Sequence, residues 1–200
     1  MQHRRDEAPN QELAAELVRK NDKKGIQEIA ENLWNRDKDI ANDCIKVIYE
    51  IGERNPNLIS RYVGDFIRLL SSKNNRMTWG AVTAIATVAH LAADELFGHY
   101  KEIEHAVKNG SVITQDRGIA ALAVVASQSD HYRKTIFPFL LKHLETCRPK
   151  DVPQHSEKSL VAANSKNKSQ FIGVLKKRFV NLTPSQQKRV TKVMKQAESL

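Results

Sequence analysis

The stretch Ile45-Lys-Val-Ile-Tyr-Glu-Ile-Gly52 recurs as Val82-Thr-Ala-Ile-Ala-Thr-Val-Ala89 and again as Ile119-Ala-Ala-Leu-Ala-Val-Val-Ala126. Each apolar position lies 37 residues after its counterpart in the preceding copy. A constant period of roughly 20–50 residues is typical of proteins built from stacked structural repeats. We therefore predict a repeat array, in which Ile85 and Leu122 are buried between neighbouring units.

A second apolar stripe has the same period and follows each copy of the first. Its positions recur at steps of three or four residues, which is the spacing of one helix face. Its members are Ile26, Ile29 and Leu33; Val63, Phe66 and Leu70; Tyr100, Ile103 and Val107; and Phe137, Leu140 and Leu144. Turn residues such as Asn55-Pro56 separate the two stripes. Each unit is thus predicted to contain a helix A, a short turn and a helix B.

Four regular helix pairs are predicted, followed by a break, a less regular fifth pair and a basic terminal helix. The pairs cover 11–20 and 24–35, 38–54 and 58–72, 77–92 and 94–108, and 114–128 and 130–146. A proline-containing break at 147–155 precedes the fifth pair at 156–165 and 169–181, and Thr183-Pro184 begins the basic helix at 183–198. Residues 1–200 are therefore interpreted as a single repeat domain with a flexible N-terminus at 1–10.

The paired helices, the 37-residue unit, Asn55-Pro56 in mid-unit and the ends of helix A at Ile51-Gly52 and Val88-Ala89 resemble HEAT and armadillo repeats. The resemblance covers roughly 11–181. It implies an all-α fold, a right-handed α-α superhelix (a HEAT-like solenoid) of about five helix pairs with a concave face lined by the B helices. It also implies that Arg117, at the start of a helix A, forms a structural ion pair with an acid of the neighbouring repeat.

The segment Arg76-Met-Thr-Trp-Gly-Ala-Val-Thr83 is similar in outline to a motif of HEAT-like alkylpurine DNA glycosylases. Trp79 and Val82 match that motif, but the position of its catalytic Asp holds Thr83. Because threonine carries no charge to stabilise an oxocarbenium ion, glycosylase chemistry is not expected here.

The excess of positive over negative charge lies entirely in the last quarter of the chain. Residues 1–147 contain equal numbers of basic and acidic side chains, whereas 148–200 contain 12 Lys and Arg against 3 Asp and Glu, which accounts for the net charge of +9. This distribution favours an acidic partner surface, or a phosphate backbone, near the C-terminus. The predicted basic binding cluster comprises Lys166, Lys168, Lys176, Lys177, Arg178, Lys188, Arg189, Lys192 and Lys195, and Trp79 is a candidate surface aromatic residue.

No catalytic residue, cofactor site or metal site is predicted. The sequence lacks the GxxxxGK[ST], GxGxxG, GxSxG and HExxH signatures. Cys147 and His155 flank the proline-containing break, but a zinc site needs three or four ligands, and no CxxC or HxxxH accompanies them.

Two isolated cysteines, a polar N-terminus without a secretory signal and the lack of a long apolar run predict a cytoplasmic protein with no membrane contact. The predicted function is a non-enzymatic scaffold that binds a protein partner, preferably an acidic one, through the concave repeat surface. The alternative is a nucleic-acid-binding HEAT protein related in build to the glycosylases. The affinity of such a protein for DNA or RNA would fall steeply with salt.

Overall fold

The computed structural model describes residues 7–200, which form twelve α-helices connected by turns and five short 3-10 helices, without any strand. This confirms the all-α prediction. The helices are α1 (Ala8–Lys20), α2 (Lys23–Glu31), α3 (Lys38–Arg54), α4 (Val63–Leu69), α5 (Asn75–Val88), α6 (Ala93–Gly98), α7 (Tyr100–Asn109), α8 (Val112–Ser127), α9 (Asp130–Thr146), α10 (Val152–Ser159), α11 (Lys168–Phe179) and α12 (Pro184–Glu198). The 3-10 helices are Asn32–Trp34, Pro56–Leu58, Ser60–Tyr62, Pro149–Asp151 and Leu160–Ala162. Within this part of the chain, no helix is long and apolar enough to cross a membrane.

The helices form two compact units, Met1–Gly118 and Ile119–Leu200, with the boundary inside α8. The repeat pattern alone gives no sign of this boundary, because the 37-residue period continues through it. Residues up to Gly118 are called unit 1 and residues from Ile119 onwards unit 2, as distinct from the single repeats.

In unit 1, the A helices form a central layer in which α3 packs between α1 and α5. The B helices flank this layer, with α2 against α3 and α4 against α5. The two apolar stripes supply the core, as predicted. Fully or almost fully buried stripe residues in this unit are Ile26, Leu33, Ile45, Val47, Ile48, Ile51, Val63, Phe66, Val82, Ala84, Ile85, Val88, Ile103 and Val107.

Small residues allow the A helices of unit 1 to approach closely. A methyl group added at Gly80 of α5 would lie 2.6 Å from Ile45 Cγ1 of α3. One added at Gly52 would lie 2.3 Å from Thr87 Oγ1. Neither glycine has a positive φ, so they are required here for space and not for backbone conformation. Arg117 forms an ion pair, as predicted, with its Nη1 3.1 Å from Glu53 Oε1. The prediction of a partner in the neighbouring repeat is wrong, because Glu53 lies two repeats before Arg117.

In unit 2, α9 packs against α10 and α11, and α12 packs across α10 and α11. The core includes Leu122, Leu140, Phe171 and Val190, each with none of its surface exposed. Helix α12 begins at a complete capping box, in which Thr183 accepts from the Gln186 backbone and the Gln186 side chain accepts from the Thr183 backbone. This start agrees with the basic helix predicted at 183–198.

The structure differs from several predicted boundaries. The α-helix predicted at 24–35 ends at Glu31, that predicted at 77–92 ends at Val88, and that predicted at 156–165 ends at Ser159. Three further differences have local causes. Helix α1 begins at Ala8, so residues 8–10 of the predicted flexible segment are helical, with Pro9 in the first turn where its missing N–H costs nothing; the rest of that segment, 1–6, lies outside the described residues. The predicted B helices at 58–72 and 94–108 are each divided, the second at His99, whose backbone (φ −118°, ψ 20°) leaves the helical region. The break at 147–155 is shorter than predicted, since α10 begins at Val152 with Pro153 in its first turn.

Candidate interaction surface

The B helices of unit 1 present the most exposed large aromatic side chain among the described residues. This residue is Trp34, the last residue of the 3-10 helix Asn32–Trp34, and it is 45% exposed. Its neighbour Leu33 is only 2% exposed, so the two side chains point to different sides of this 3-10 helix. The backbone becomes extended at Asn35, which ends the turn and fixes the ring at the surface.

Two side chains of α4 hold the indole of Trp34. The guanidinium carbon of Arg68 lies 4.3 Å from the ring centroid, which is a cation–π contact. The indole Nε1 donates to Asp65 Oδ1 at 3.2 Å, and Arg68 Nη1 lies 3.6 Å from the same oxygen. The ring is therefore held in place before any partner arrives, which lowers the entropy cost of using it as a binding anchor.

These residues line a groove of about 360 Å³. The groove lies between α2 on one side and α4 with the 3-10 helix Ser60–Tyr62 on the other. The groove contains both signs of charge. Its lining residues are Gln27, Ala30, Glu31, Trp34, Arg61, Tyr62, Asp65 and Arg68. Arg61 and Tyr62 also line a smaller adjoining pocket of about 140 Å³, and the Arg61 guanidinium carbon lies 5.1 Å from the Tyr62 ring centroid.

A second groove, of about 520 Å³, lies one repeat further along the same face of unit 1. It is lined by Leu70, Ser71, Ser72, Lys101, Glu102 and His105. Glu102 and His105 follow Asp65 and Arg68 by 37 residues, so both grooves use the same helix positions. The pKa of Glu102 is lowered because His99 Nδ1 lies 3.0 Å from its carboxylate. We call the two grooves together the B-helix surface.

The predicted basic cluster is divided by the structure into paired and unpaired cations. Arg178 donates to the carbonyl oxygens of Leu144 (3.0 Å), Glu145 and Cys147 (2.6 Å), so it caps the end of α9. Arg189 makes a two-pronged ion pair with Glu157 at 2.9 and 2.6 Å, which raises the pKa of Arg189.

Two lysines of the cluster also have partners. Lys166 Nζ lies 2.7 Å from Asp130 Oδ2 and lowers the pKa of that carboxyl. Lys168 Nζ donates to the carbonyl oxygens of Glu198 and Leu200 at 2.9 and 3.2 Å. The remaining five are exposed and form no ion pair within residues 7–200: Lys176, Lys177, Lys188, Lys192 and Lys195. Of these, the three on α12 share one helix face, opposite the buried Val190, Val193 and Ala197.

Trp79, the aromatic residue singled out by the sequence, lies in a packed position. It is half-buried, and its ring centroid is 5.7 Å from that of Tyr49, which is itself buried. Thr83 is also buried, and its hydroxyl donates to the Trp79 carbonyl at 2.8 Å. The exposed indole is instead that of Trp34, which the sequence pattern did not single out. Trp34 follows the buried Leu33, but the adjacent Val47 and Ile48 are both buried, so this order alone does not identify an exposed ring.

The comparisons with known proteins identify the fold. No protein-family model matches the sequence, and no curated protein is similar enough to count as a relative. Among solved structures, a designed armadillo repeat protein in complex with the peptide (KR)4 superposes with a TM-score of 0.75 at 16% identity, over 96% of this chain and 91% of that one. Computationally designed armadillo repeat proteins for modular peptide recognition give 0.73 at 16% identity, over 94% and 90%.

An engineered protein of unstated type is also similar, with a TM-score of 0.67 at 17% identity over 98% of this chain and 93% of that chain. These likenesses extend over nearly the whole sequence. The chain therefore has an armadillo-like α-helical repeat fold, as the 37-residue period predicted.

Proposed function

We propose that this protein is a non-enzymatic interaction module that binds an extended segment of a partner protein on the B-helix surface of unit 1. The observation that carries the proposal is the recurrence of one groove at equivalent positions of successive repeats. A surface that repeats at a fixed interval suits a ligand that also repeats, and an extended peptide is such a ligand. Two of the structurally similar proteins are described as peptide binders, which supports the proposal.

The spacing of the grooves sets the spacing of the peptide anchors. Packed helices lie about 8–10 Å apart, and an extended chain rises about 3.3 Å per residue. Two peptide side chains three residues apart are therefore about 10 Å from each other, which lets one enter each groove as an anchor. The first anchor is apolar or aromatic and packs on Trp34, which Arg68 and Asp65 hold in position.

We expect the partner segment to carry acidic side chains. Arg61 is exposed at the junction of the first groove and its adjoining pocket. The five lysines of unit 2 that are unpaired within the residues described form a separate cationic surface, which would attract another acidic segment of the partner. Carboxylates of the partner would meet these cations, which would add to the association rate more than to the final affinity. The cytoplasmic setting expected from two free cysteines belongs to the same proposal.

The test is selection from a displayed library of eight-residue peptides, followed by titration of the full chain with the selected peptides. The expected result is a consensus with an apolar anchor, a second anchor three residues away and flanking Asp or Glu. A parallel titration with single-stranded and duplex DNA and RNA at increasing salt tests the nucleic-acid alternative. Failure to select any consensus, together with tight and strongly salt-dependent nucleic-acid binding, would refute the peptide proposal in favour of that alternative.

A further inference from the structure

Three side chains of types that bind transition metals meet at the corner between α9 and α10 in unit 2. They are His143, Cys147 and His155, whose nearest ligand atoms all lie within 4.8 Å of one another. His143 Nε2 is 2.8 Å from His155 Nδ1. At this distance one nitrogen donates its N–H to the lone pair of the other, so a metal bound by both nitrogens requires the donating ring to carry its proton on its other nitrogen instead.

The local sequence brings these residues together. His143 and Cys147 are four residues apart at the end of α9, which places them on one helix face. The chain then turns through the 3-10 helix Pro149–Asp151, and α10 returns His155 to the same place. The spacing of these three residues matches no familiar zinc motif. Only the tertiary structure shows that the turn at Pro149–Asp151 brings His155 next to His143 and Cys147.

We propose that His143, Cys147 and His155 bind a zinc ion. Two imidazoles and one thiolate form a borderline-soft donor set that suits Zn²⁺. With Zn–N near 2.0–2.1 Å and Zn–S near 2.3 Å, tetrahedral ligands lie about 3.3–3.6 Å apart. The observed separations approach these values closely enough that small side-chain rotations complete the site. Zinc binding displaces the Cys147 thiol proton to water and leaves a thiolate–zinc bond.

Charged side chains of both signs surround the cluster. Asp151 acts electrostatically on both His143 and Cys147, and Arg178 and Arg148 act on Cys147, while Arg148 Nε lies 2.6 Å from the Asp151 carboxylate. A water molecule would supply the fourth position. Arg178 fixes the end of α9 by donating to the Cys147 carbonyl, and such outer contacts orient metal ligands.

Accessibility also fits a metal site. His155 is only 3% exposed, whereas His143 and Cys147 are partly exposed. An ion can therefore enter from solvent and be held by a buried ligand. This site is independent of the B-helix surface, which belongs to unit 1.

The experiment is a titration of the chelator-treated full chain with Zn²⁺ against a chromophoric competitor, with Co²⁺ as a spectroscopic substitute. We expect one ion per chain, and a thiolate-to-cobalt charge-transfer band. Cys147→Ser should weaken zinc binding at least about ten-fold and abolish the band. The matched controls are Cys44→Ala, which removes the other cysteine, and His90→Gln, which removes an exposed histidine. Both variants should keep the zinc affinity and the charge-transfer band.

A measurement on the unaltered protein covers the case in which the serine variant does not fold. Zinc should slow alkylation of Cys147 by iodoacetamide at least about ten-fold, as followed by peptide mass spectrometry. The proposal is overturned if the protein takes up no stoichiometric zinc and Cys147 alkylates at the same rate with and without it. It is equally overturned if Cys147→Ser folds and binds zinc as tightly as the unaltered chain.

Discussion

Arg68 stacks on Trp34, with 4.3 Å between the guanidinium carbon and the ring centroid, and so connects α4 to the end of the preceding B helix. Asp65 completes the arrangement by accepting from the indole. Polar contacts thus hold an aromatic ring that is 45% exposed. Exposed but immobilised aromatic and arginine side chains are typical of binding hot spots.

Replacing Trp34 with alanine should therefore abolish most of the peptide binding. We expect a loss of at least about ten-fold in affinity, measured by fluorescence polarisation with a selected peptide. The matched control is Leu91→Ala, since Leu91 is also apolar and 41% exposed but lies outside both grooves. Equal effects of the two variants would show that the indole is not an anchor.

Reversing the charge of Lys192 and Lys195 should weaken the binding of acidic polypeptides to the lysine face of α12, and mainly at low salt. These lysines are exposed on α12 without ion pairs in the described chain, so the change breaks no internal contact. The effect should be several-fold at 50 mM salt and should largely vanish near 500 mM, because exposed charges are screened. The control is the double change Lys38→Glu and Lys73→Glu, at exposed lysines of unit 1; an equal loss there would mean that net charge alone matters.

A methyl group at Gly80 should destabilise the fold. It would lie 2.6 Å from Ile45 Cγ1, between helices that are already in close contact. We expect Gly80→Ala to lower the free energy of unfolding by about 1–3 kcal/mol in urea titrations. Gly173→Ala is the matched control, because a methyl group there meets nothing within 4 Å; it should be neutral or stabilise helix α11 by up to about 1 kcal/mol.

Truncation of Leu122 should cost much more than truncation of an exposed residue. Leu122 has no exposed surface, so Leu122→Ala should lower the free energy of unfolding by about 2–5 kcal/mol. Val180 is 81% exposed, and Val180→Ala should change it by less than about 0.5 kcal/mol. A loss below about 1 kcal/mol at Leu122 would contradict its assignment to the core.

The ion pairs of Glu50 should make stability depend on acid pH. Burial alone would raise the pKa of Glu50, but Lys46 at 2.9 Å and Arg54 at 2.6 Å outweigh it and lower the pKa. A carboxyl with a lowered folded-state pKa contributes stability above its unfolded pKa of about 4.5, and this is lost as pH falls through the folded value. Glu50→Gln should thus destabilise the protein by about 1–3 kcal/mol at pH 7, and the difference should shrink below about pH 4.5.

The control for this pH profile is Glu12→Gln, since Glu12 is exposed. Urea titrations between pH 3 and 7 should give Glu12→Gln the same profile as the unaltered chain. A Glu50→Gln difference that stays constant over this range would show that packing, and not charge, accounts for the loss.

The sequence by itself determined the repeat, its helical pairs and its core. An apolar stripe repeated every 37 residues can be buried only by stacking equivalent helices, so Ile45, Ile85 and Leu122 could be placed in the interior without coordinates. Local chemistry also gave the start of α12, because the Thr183 capping box depends only on residues four positions apart or fewer.

The tertiary structure alone decided which exposed groups act together. Trp34 and Arg68 are 34 residues apart and meet only because successive B helices lie side by side. The turn at Pro149–Asp151 likewise decides that His155 faces His143. Side-chain periodicity records which face of a helix avoids water, but contacts between distant surface residues depend on helix packing, which no local pattern encodes.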